Sequence, residues 1–239
     1  MHKKHQTVVM SVGGSLIVPD QIDTEFLYKL KELITEETAN TGRLFVIIAG
    51  GGKTARRYQD AAKEVADVTN EDLDWMGLHA TRLNGQLLRT IFRDIAHRAI
   101  ITNPDDVLDV PKDIQLIIAA GYRPGSSTDL RAIQIADRLG AKTAINLSDT
   151  DYIYTDNPKT NPEAKKIEQI SWSDFRKLIP SEWDPGLSTP FDPIAAAEAE
   201  RSGIEVAQIN GRNIDALRDY LHDKPFKGTR ICNSSIEDN

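Results

Sequence analysis

The sequence predicts an α/β fold: a three-layer αβα sandwich with a largely parallel central sheet, in one domain spanning residues 1–239. Three observations predict it. Short apolar runs alternate with amphipathic stretches along the whole chain, the pattern of parallel strands joined by crossover helices. Three of those runs end in glycine and pass directly into a stretch of helical character. No internal repeat, low-complexity tract or linker breaks the alternation. Ligands in such sheets bind at the carboxyl ends of the strands, so the three glycine junctions can converge on one cleft.

The elements follow in order. Thr7 to Val12 reads as a buried strand, ended by Gly13-Gly14-Ser15. Asp23 is placed to cap a helix from Thr24 to about Glu37, with Phe26, Leu27, Leu30, Leu33 and Ile34 on one face. Leu44 to Ala49 is the second strand, and Gly50-Gly51-Gly52 ends it. A helix over Lys53–Val65 follows, with Ala55, Tyr58, Ala62 and Val65 on its apolar side. Glu71 to Ala96 predicts a long helix striped by Met76, Leu83, Leu87, Leu88, Ile91 and Phe92, suited to the core or to a dimer seam. Ala99–Ile101 predicts a short strand, and Ile114–Ala120 a stronger one. The latter runs into the third junction, Gly121 to Asp129, ahead of a helix from Leu130 to Leu139.

Thr143–Leu147 is the next strand. Ser148 to Pro158 is rich in Asx residues and reads as an irregular loop. Ile167–Ile170 predicts a short strand, and Ser171 or Ser173 caps a helix over Trp172–Leu178. Pro180 to Pro193 reads as an ordered loop. Ile194–Ser202 is helix stopped by Gly203, Glu205–Ile209 strand, Ile214–Leu221 helix, and Gly228–Cys232 a last edge strand. The tail, 233–239, is expected to be disordered.

Composition removes several classes of function. A hydrophobic fraction of 40% and a charged fraction of 27% are those of an ordinary soluble globular protein. A net charge of −7 gives no basic surface for nucleic acid. No apolar run reaches membrane-spanning length, and no apolar h-region follows the basic start. The one cysteine, Cys232, fits a reducing cytoplasm. The histidines at 2, 5, 79, 97 and 222 are scattered, so no protein metal centre is expected. Neither a GxxxxGK[ST] loop nor a GxGxxG fingerprint is present. Ser126, Ser127 and Thr128 lack the elbow and the base of a nucleophile.

What remains is three glycine turns, Arg56 and Arg57, Arg123, and the acids Asp74, Asp129, Asp151 and Asp192. Glycine at a strand-to-helix turn removes the Cβ, and the helix start presents free N–H groups to an anion. A guanidinium fork one turn later matches phosphate oxygens. Phosphoryl transfer needs this kit, because donor and acceptor phosphates repel and must be held in line.

On six stretches in order the chain resembles the amino acid kinase superfamily, and within it the uridylate (UMP) kinases of archaeal type. They are Val12–Leu16, Gly50–Tyr58, Asp74–Asn84, Pro124–Asp129, Tyr154–Pro158 with Asn161–Ile167, and Asp192–Ala196. The resemblance implies phosphorylation of UMP by ATP with Mg²⁺, an acceptor site in the N-terminal part and a donor site in the C-terminal part. Gly14, Ser15, Gly52 and Arg56 would meet the ATP phosphates or the transferring group. Gly51 and Asp74 would hold UMP, Asp74 through the ribose. Tyr122, Arg123, Pro124, Gly125, Ser126, Ser127 and Thr128 would wrap the uracil and the UMP phosphate. Ser148, Asp149, Tyr154 and Asn157 would line the adenosine pocket, and Asp192 would orient a catalytic cation. Arg56, Asp192 and Gly14 are thus the expected catalytic set. A homo-oligomer is implied, a hexamer with the Asp74–Phe92 helix as a dimer seam.

Ser11 stands where many members carry lysine; Ser148, Asp149 and Tyr152 replace a Thr-Asn pair and a glycine, and Asn157 replaces an aspartate. The other implied reading is a non-catalytic nucleotide-binding or molybdate- or tungstate-storage assembly on the same fold. Isopentenyl phosphate kinases carry a histidine after the triplet, where Lys53-Thr54-Ala55 stand here.

Overall fold

The computed structural model describes residues 7–158, 160–181 and 189–233. At its centre β1 (Thr7–Val12) pairs in parallel with β2 (Leu44–Ala49) on one side and β4 (Thr143–Ser148) on the other. Next to β2 lies β3 (Leu116–Ala119), and next to β4 lies β8 (Glu205–Asn210), both parallel. The register is in step: Thr7 faces Leu44 and Val12 faces Ala49. β9 (Gly228–Cys232) runs antiparallel to β8, and β7 (Gln169–Ser171) closes the sheet parallel to β9. The predicted edge strand is therefore interior. The 167–170 stretch divides into β6 (Lys166–Ile167) and β7. β6 pairs with β5 (Ile153–Tyr154), so the loop after β4 carries a small antiparallel pair that its composition does not announce.

Helices cover both faces, giving the three layers. α2 (Thr24–Thr41), α4 (Asn70–Ile91) and α8 (Ile214–Leu221) meet one face, where Leu30, Leu33, Phe45, Ile47, Leu88 and Leu217 share a core. α5 (Thr128–Arg138), α6 (Trp172–Leu178) and α7 (Pro193–Ser202) meet the other with Val46, Ile48, Ile133, Phe175 and Ala196. Strands buried on both faces need side chains that are mostly apolar on both, which is why β2 and β3 read as unbroken runs, while β1, β4 and β8 each carry one buried polar residue, Ser11, Asn146 and Gln208. α1 (Gly14–Ile17) and α3 (Gly52–Val65) start at the first two glycine junctions.

Several boundaries move for local reasons. α2 runs on to Thr41, where Gly42 takes a left-handed φ of 66°. α4 stops at Ile91, short of Ala96, and Thr69 with Asp72 forms a capping box at its start. The Ala99–Ile101 strand is absent as a strand: single bridges join Ala96 to Leu116 and Ile101 to Ala119. Asn103-Pro104 then opens a 3-10 turn that ends any extension. α5 begins at Thr128 because Ser127, not a later residue, caps it. α3 buries Ala55 alone, with Tyr58 69% and Val65 86% exposed, because it lies across α1 and α4 and not on the sheet. Residues 182–188 of the Pro180–Pro193 loop, and 234–239 of the tail, lie outside the described residues.

Candidate active site

The order β3-β2-β1-β4-β8 reverses between β1 and β4, and the crevice for a ligand in such a sheet opens at that switch point. The first glycine junction is there. Gly13 N–H donates to Leu147 O of β4 at 2.8 Å, which fixes the turn between the two strands. Gly14 then meets the second junction backbone to backbone. A Cβ on Gly14 would stand 1.8 Å from Gly52 N, and one on Gly52 would stand 2.2 Å from Gly14 O. Gly52 also holds a φ of 62°. The glycines are needed first for this mutual approach, a reason the sequence alone does not supply.

The close contact brings two helix starts together. Neither α1 nor α3 has a side-chain cap at its N-terminus, whereas α2, α4, α5, α6, α7 and α8 are each capped by a side chain. Helix starts without a side-chain cap favour an anion, although Lys53 N–H already donates to Val18 O at 3.2 Å. Around them the cations sort themselves. Lys53 and Arg57 both reach Asp20, at 3.6 and 2.6 Å. Arg56 is exposed and carries no ion pair among the described residues. Ser15 lies half-buried beside the turn.

α4 ties the second and third junctions together. Asn84 Nδ2, 3% exposed on a helix face that otherwise packs, donates to Gly50 O at 2.8 Å and Gly51 O at 3.2 Å. Thr81 Oγ1 accepts from Gly121 N at 2.9 Å, and Arg82 donates to Gly121 O and Tyr122 O at 3.2 and 3.0 Å. Asp74 Oδ2 accepts from Gly125 N at 2.8 Å. Burial raises the Asp74 carboxyl above its ordinary value, against the Gly125 bond. Asp74, Thr81, Arg82 and Asn84 thus position the second and third junctions from one helix. Asn84, Thr81 and Arg82 fall inside a stretch singled out by resemblance, but their roles are visible only with the carbonyls they hold. A polar side chain within an apolar helical stripe is the signal that could have found Asn84.

The third junction also connects to β1. Ser11 Oγ donates to Asp129 Oδ1 at 3.0 Å, and Asp192 N donates to Asp129 Oδ2 at 3.4 Å. Asp192 caps α7 through Ala195 N at 2.7 Å, and its Oδ2 is buried without a partner. Burial, reinforced by the neighbouring Asp192 and opposed by the Ser11 hydroxyl, pushes the Asp129 carboxyl up to about 6. Asp192 is raised as well, burial outweighing the Ala195 amide and the Ser127 hydroxyl. At the position where many members carry lysine, this chain has a hydroxyl holding a carboxyl.

That shift has a stability consequence. A folded carboxyl at about 6 against an ordinary 3.8 keeps its proton better folded than unfolded, so stability falls as pH rises from about 4 to about 6. Asp129→Asn removes the penalty. Thermal melts should show the variant more stable than the parent at pH 8, by up to about 3 kcal/mol, with the gain gone at pH 4. A gain that does not vary with pH would assign it to packing.

On the far side of the switch point, Ser148 ends β4 and bonds Thr150 Oγ1 at 3.1 Å and also Gln208. Asp149 is exposed. Tyr154 stands on β5, edge-on to Tyr152 at 6.4 Å. Asn157 lies in an exposed turn, its N–H on Asp156 Oδ1 at 2.7 Å. The β5–β6 pair carries Tyr154, with Asn157 in the loop between its strands, and is tied to β9 where Ile153 N donates to Thr229 Oγ1 at 2.9 Å, while Ser148 ends β4 itself. Gly14, Ser15, Gly51, Gly52, Asp74 and the Tyr122–Thr128 loop are brought together; Ser127 is used as the α5 cap, bonding Leu130 N at 3.0 Å.

A largely parallel sheet whose switch point carries two helix starts without side-chain caps suits an anionic, phosphate-like ligand. Comparison makes this specific. The amino acid kinase family model matches residues 6–210, and the chain belongs to that family. It is similar to the uridylate kinase of Pyrococcus abyssi, 34% identical over 94% of this chain and 98% of that one. The uridylate kinase of Methanospirillum hungatei is 31% identical over 94% of each chain. The crystal structure of uridylate kinase from Archaeoglobus fulgidus superimposes with a TM-score of 0.79 at 27% identity, over 95% of this chain and 100% of that one. UMP kinase from Bacillus anthracis shares the fold, with a TM-score of 0.80 at 16% identity over 98% of each chain. Among the described residues no helix is long and apolar enough to cross a membrane.

Proposed function

We propose that the protein is a uridylate kinase that transfers the γ-phosphoryl group of ATP to UMP, giving ADP and UDP, in cytoplasmic pyrimidine nucleotide synthesis. The observation that carries this reading is the bare double junction beside Arg56, in a chain of this family. The terminal P–O bond of ATP breaks as a UMP phosphate oxygen bonds to the same phosphorus. Gly14, Ser15, Gly52 and Arg56 face the transferring group. Gly51, Asp74 and Tyr122–Thr128 take UMP, and Ser148, Asp149, Tyr154 and Asn157 take adenosine. Each helix start stabilises an anion by about 0.3–1 kcal/mol, and two on one group add. The backbone donors are fixed before substrate arrives, so no reorganisation opposes the reaction.

The donor chemistry fits Mg²⁺ carried on ATP. Asp192 offers a buried carboxylate oxygen without a partner, a hard ligand, and Asp129 stands beside it. Among the described residues no group of three or more His, Cys, Asp or Glu side chains could hold an ion without the nucleotide. Asp192 would hold the ion together with the ATP phosphates, and the ion would neutralise charge on them.

A coupled assay with ATP and a panel of nucleoside monophosphates tests the reading: UMP is the substrate turned over fastest. No turnover of any monophosphate, with tight molybdate or tungstate binding, would replace it by a storage function. Asp74→Asn should raise KM for UMP with kcat changed less. The carboxylate that holds Gly125, and through it the acceptor loop, loses its charge, and a charged hydrogen bond contributes about 1.5–3 kcal/mol. An unchanged KM removes Asp74 from the acceptor site. Trp75 and Leu83 stand 41% and 63% exposed on α4. We expect that helix to form a symmetric dimer seam within a hexamer, and light scattering that gives a monomer at micromolar concentration refutes it.

A further inference from the structure

Arg131 occupies a place from which burial ordinarily excludes an arginine. It lies in α5 between the buried Leu130 and Ala132 and is itself 2% exposed. Its Nη2 donates to Ser126 Oγ at 2.7 Å and its Nη1 to Gln134 Oε1 at 2.5 Å, while Nε is buried with no partner. The guanidinium carbon stands 5.2 Å from the centre of the Tyr122 ring, and that of Arg123 stands 5.8 Å from the same ring. Among the described residues no carboxylate forms an ion pair with either arginine. The charges acting on Arg131 are Arg123 and the Tyr122 hydroxyl; burial first, then Arg123, pulls its pKa down to about 10.

A buried cation without a counter-charge is costly, and a second cation beside it adds to the cost. Packing alone would be served at no such cost by an apolar side chain of similar length. The buried Arg131 of α5 and the exposed Arg123 meet at the Tyr122–Thr128 loop: Arg131 is bonded to Ser126, and both arginines lie against Tyr122. An anion arriving at that loop would lower the energy of the whole arrangement.

We propose that Arg131 is a positioning residue of the acceptor half-site, and that its missing counter-charge is the phosphate of the bound nucleoside monophosphate. This rests on the proposed function. Arg131 acts through Ser126 and Tyr122, because its own guanidinium is covered. It therefore sets the preference for a nucleotide over the corresponding nucleoside, which the neutral loop residues do not.

Calorimetric titration of the full chain with UMP, uridine and inorganic phosphate tests this in the parent, Arg131→Met and Arg131→Lys. Arg131→Met should weaken UMP by about tenfold or more while uridine changes by less than about twofold, and Arg131→Lys should restore most of the loss. In turnover, KM for UMP rises and kcat holds. Equal weakening of UMP and uridine, or an unchanged UMP affinity, overturns the proposal. Arg131→Gln, which keeps a donor toward Ser126 without the charge, gives the same comparison if circular dichroism shows that Arg131→Met does not fold. Should the parent fail to phosphorylate UMP, the proposed function falls, and the phosphate titration still decides. Weaker phosphate binding in Arg131→Met supports the inference, and equal binding overturns it.

Discussion

Arg56→Ala should lower kcat by about 10²–10³-fold, the loss seen when one donor to a developing charge is removed, while KM for UMP and for ATP changes little. The reasoning is by exclusion and by geometry. Ser11 cannot neutralise the transferring group, and its hydroxyl is committed to Asp129 at 3.0 Å. Lys53 and Arg57 are both drawn to Asp20. Arg123 lies on the Tyr122 ring in the acceptor loop. Arg56 is left, one turn into the uncapped helix α3, with a fork that can bridge two phosphate oxygens. Interactions made only as charge develops appear in kcat and not in KM. Arg56→Lys should recover little, since a point charge does not bridge two oxygens. If Arg56→Ala keeps near-full kcat and Arg123→Ala abolishes it, the catalytic cation is Arg123.

Gly14→Ala should be the most damaging single methyl in the molecule. Its Cβ would lie 1.8 Å from Gly52 N and 2.4 Å from Gly52 Cα, both backbone atoms of a packed turn. Relieving that contact means separating β1 from β2 at their carboxyl ends. A loss of more than about 4 kcal/mol is expected, the size reserved for backbone and core disruption. Thermal melts and soluble yield read it. Gly125→Ala is the control: its φ is 75° but a Cβ there meets nothing within 4 Å, so the cost should be that of a single left-handed residue, about 1–2 kcal/mol. A Gly14→Ala protein as stable as that control would show the turn to be pliable.

The layers were legible because burial on both faces leaves a mark in sequence. Val9 to Val12 and Phe45 to Ala49 are enclosed, and apart from Ser11 their composition says so. Side-chain caps are legible at some helix starts only: Asp23 caps α2 as expected, and Ser171 rather than Ser173 caps α6, whereas the caps Thr69 and Ser127 carry no mark that sets them apart from loop residues. Strand neighbours were not, because apolar pattern is silent on pairing; hence β9 is interior and β7 at the edge. The short β5–β6 pair escaped because two residues have no period to detect. At the site, the glycines could be located, but their partner, each other, could not. Asp129 could be named as an acid, but its bond to Ser11, 118 positions away, could not. Arg131 carries no signal in the sequence, because its burial and its missing counter-charge exist only in the fold.

The meeting of Gly14 with Gly52 also decides what kind of genetic repair is open to the protein. A Cβ on Gly121 would strike Leu78 Cδ2 at 2.2 Å and Thr81 Oγ1 at 2.9 Å, both side-chain atoms that can be trimmed, so second mutations that shorten those side chains offer relief. A Cβ on Gly14 strikes main-chain atoms that every residue possesses. No change of side chain at position 52 withdraws them. A screen for intragenic suppressors should therefore recover partners for Gly121→Ala at positions 78 and 81, and for Gly14→Ala return only true revertants.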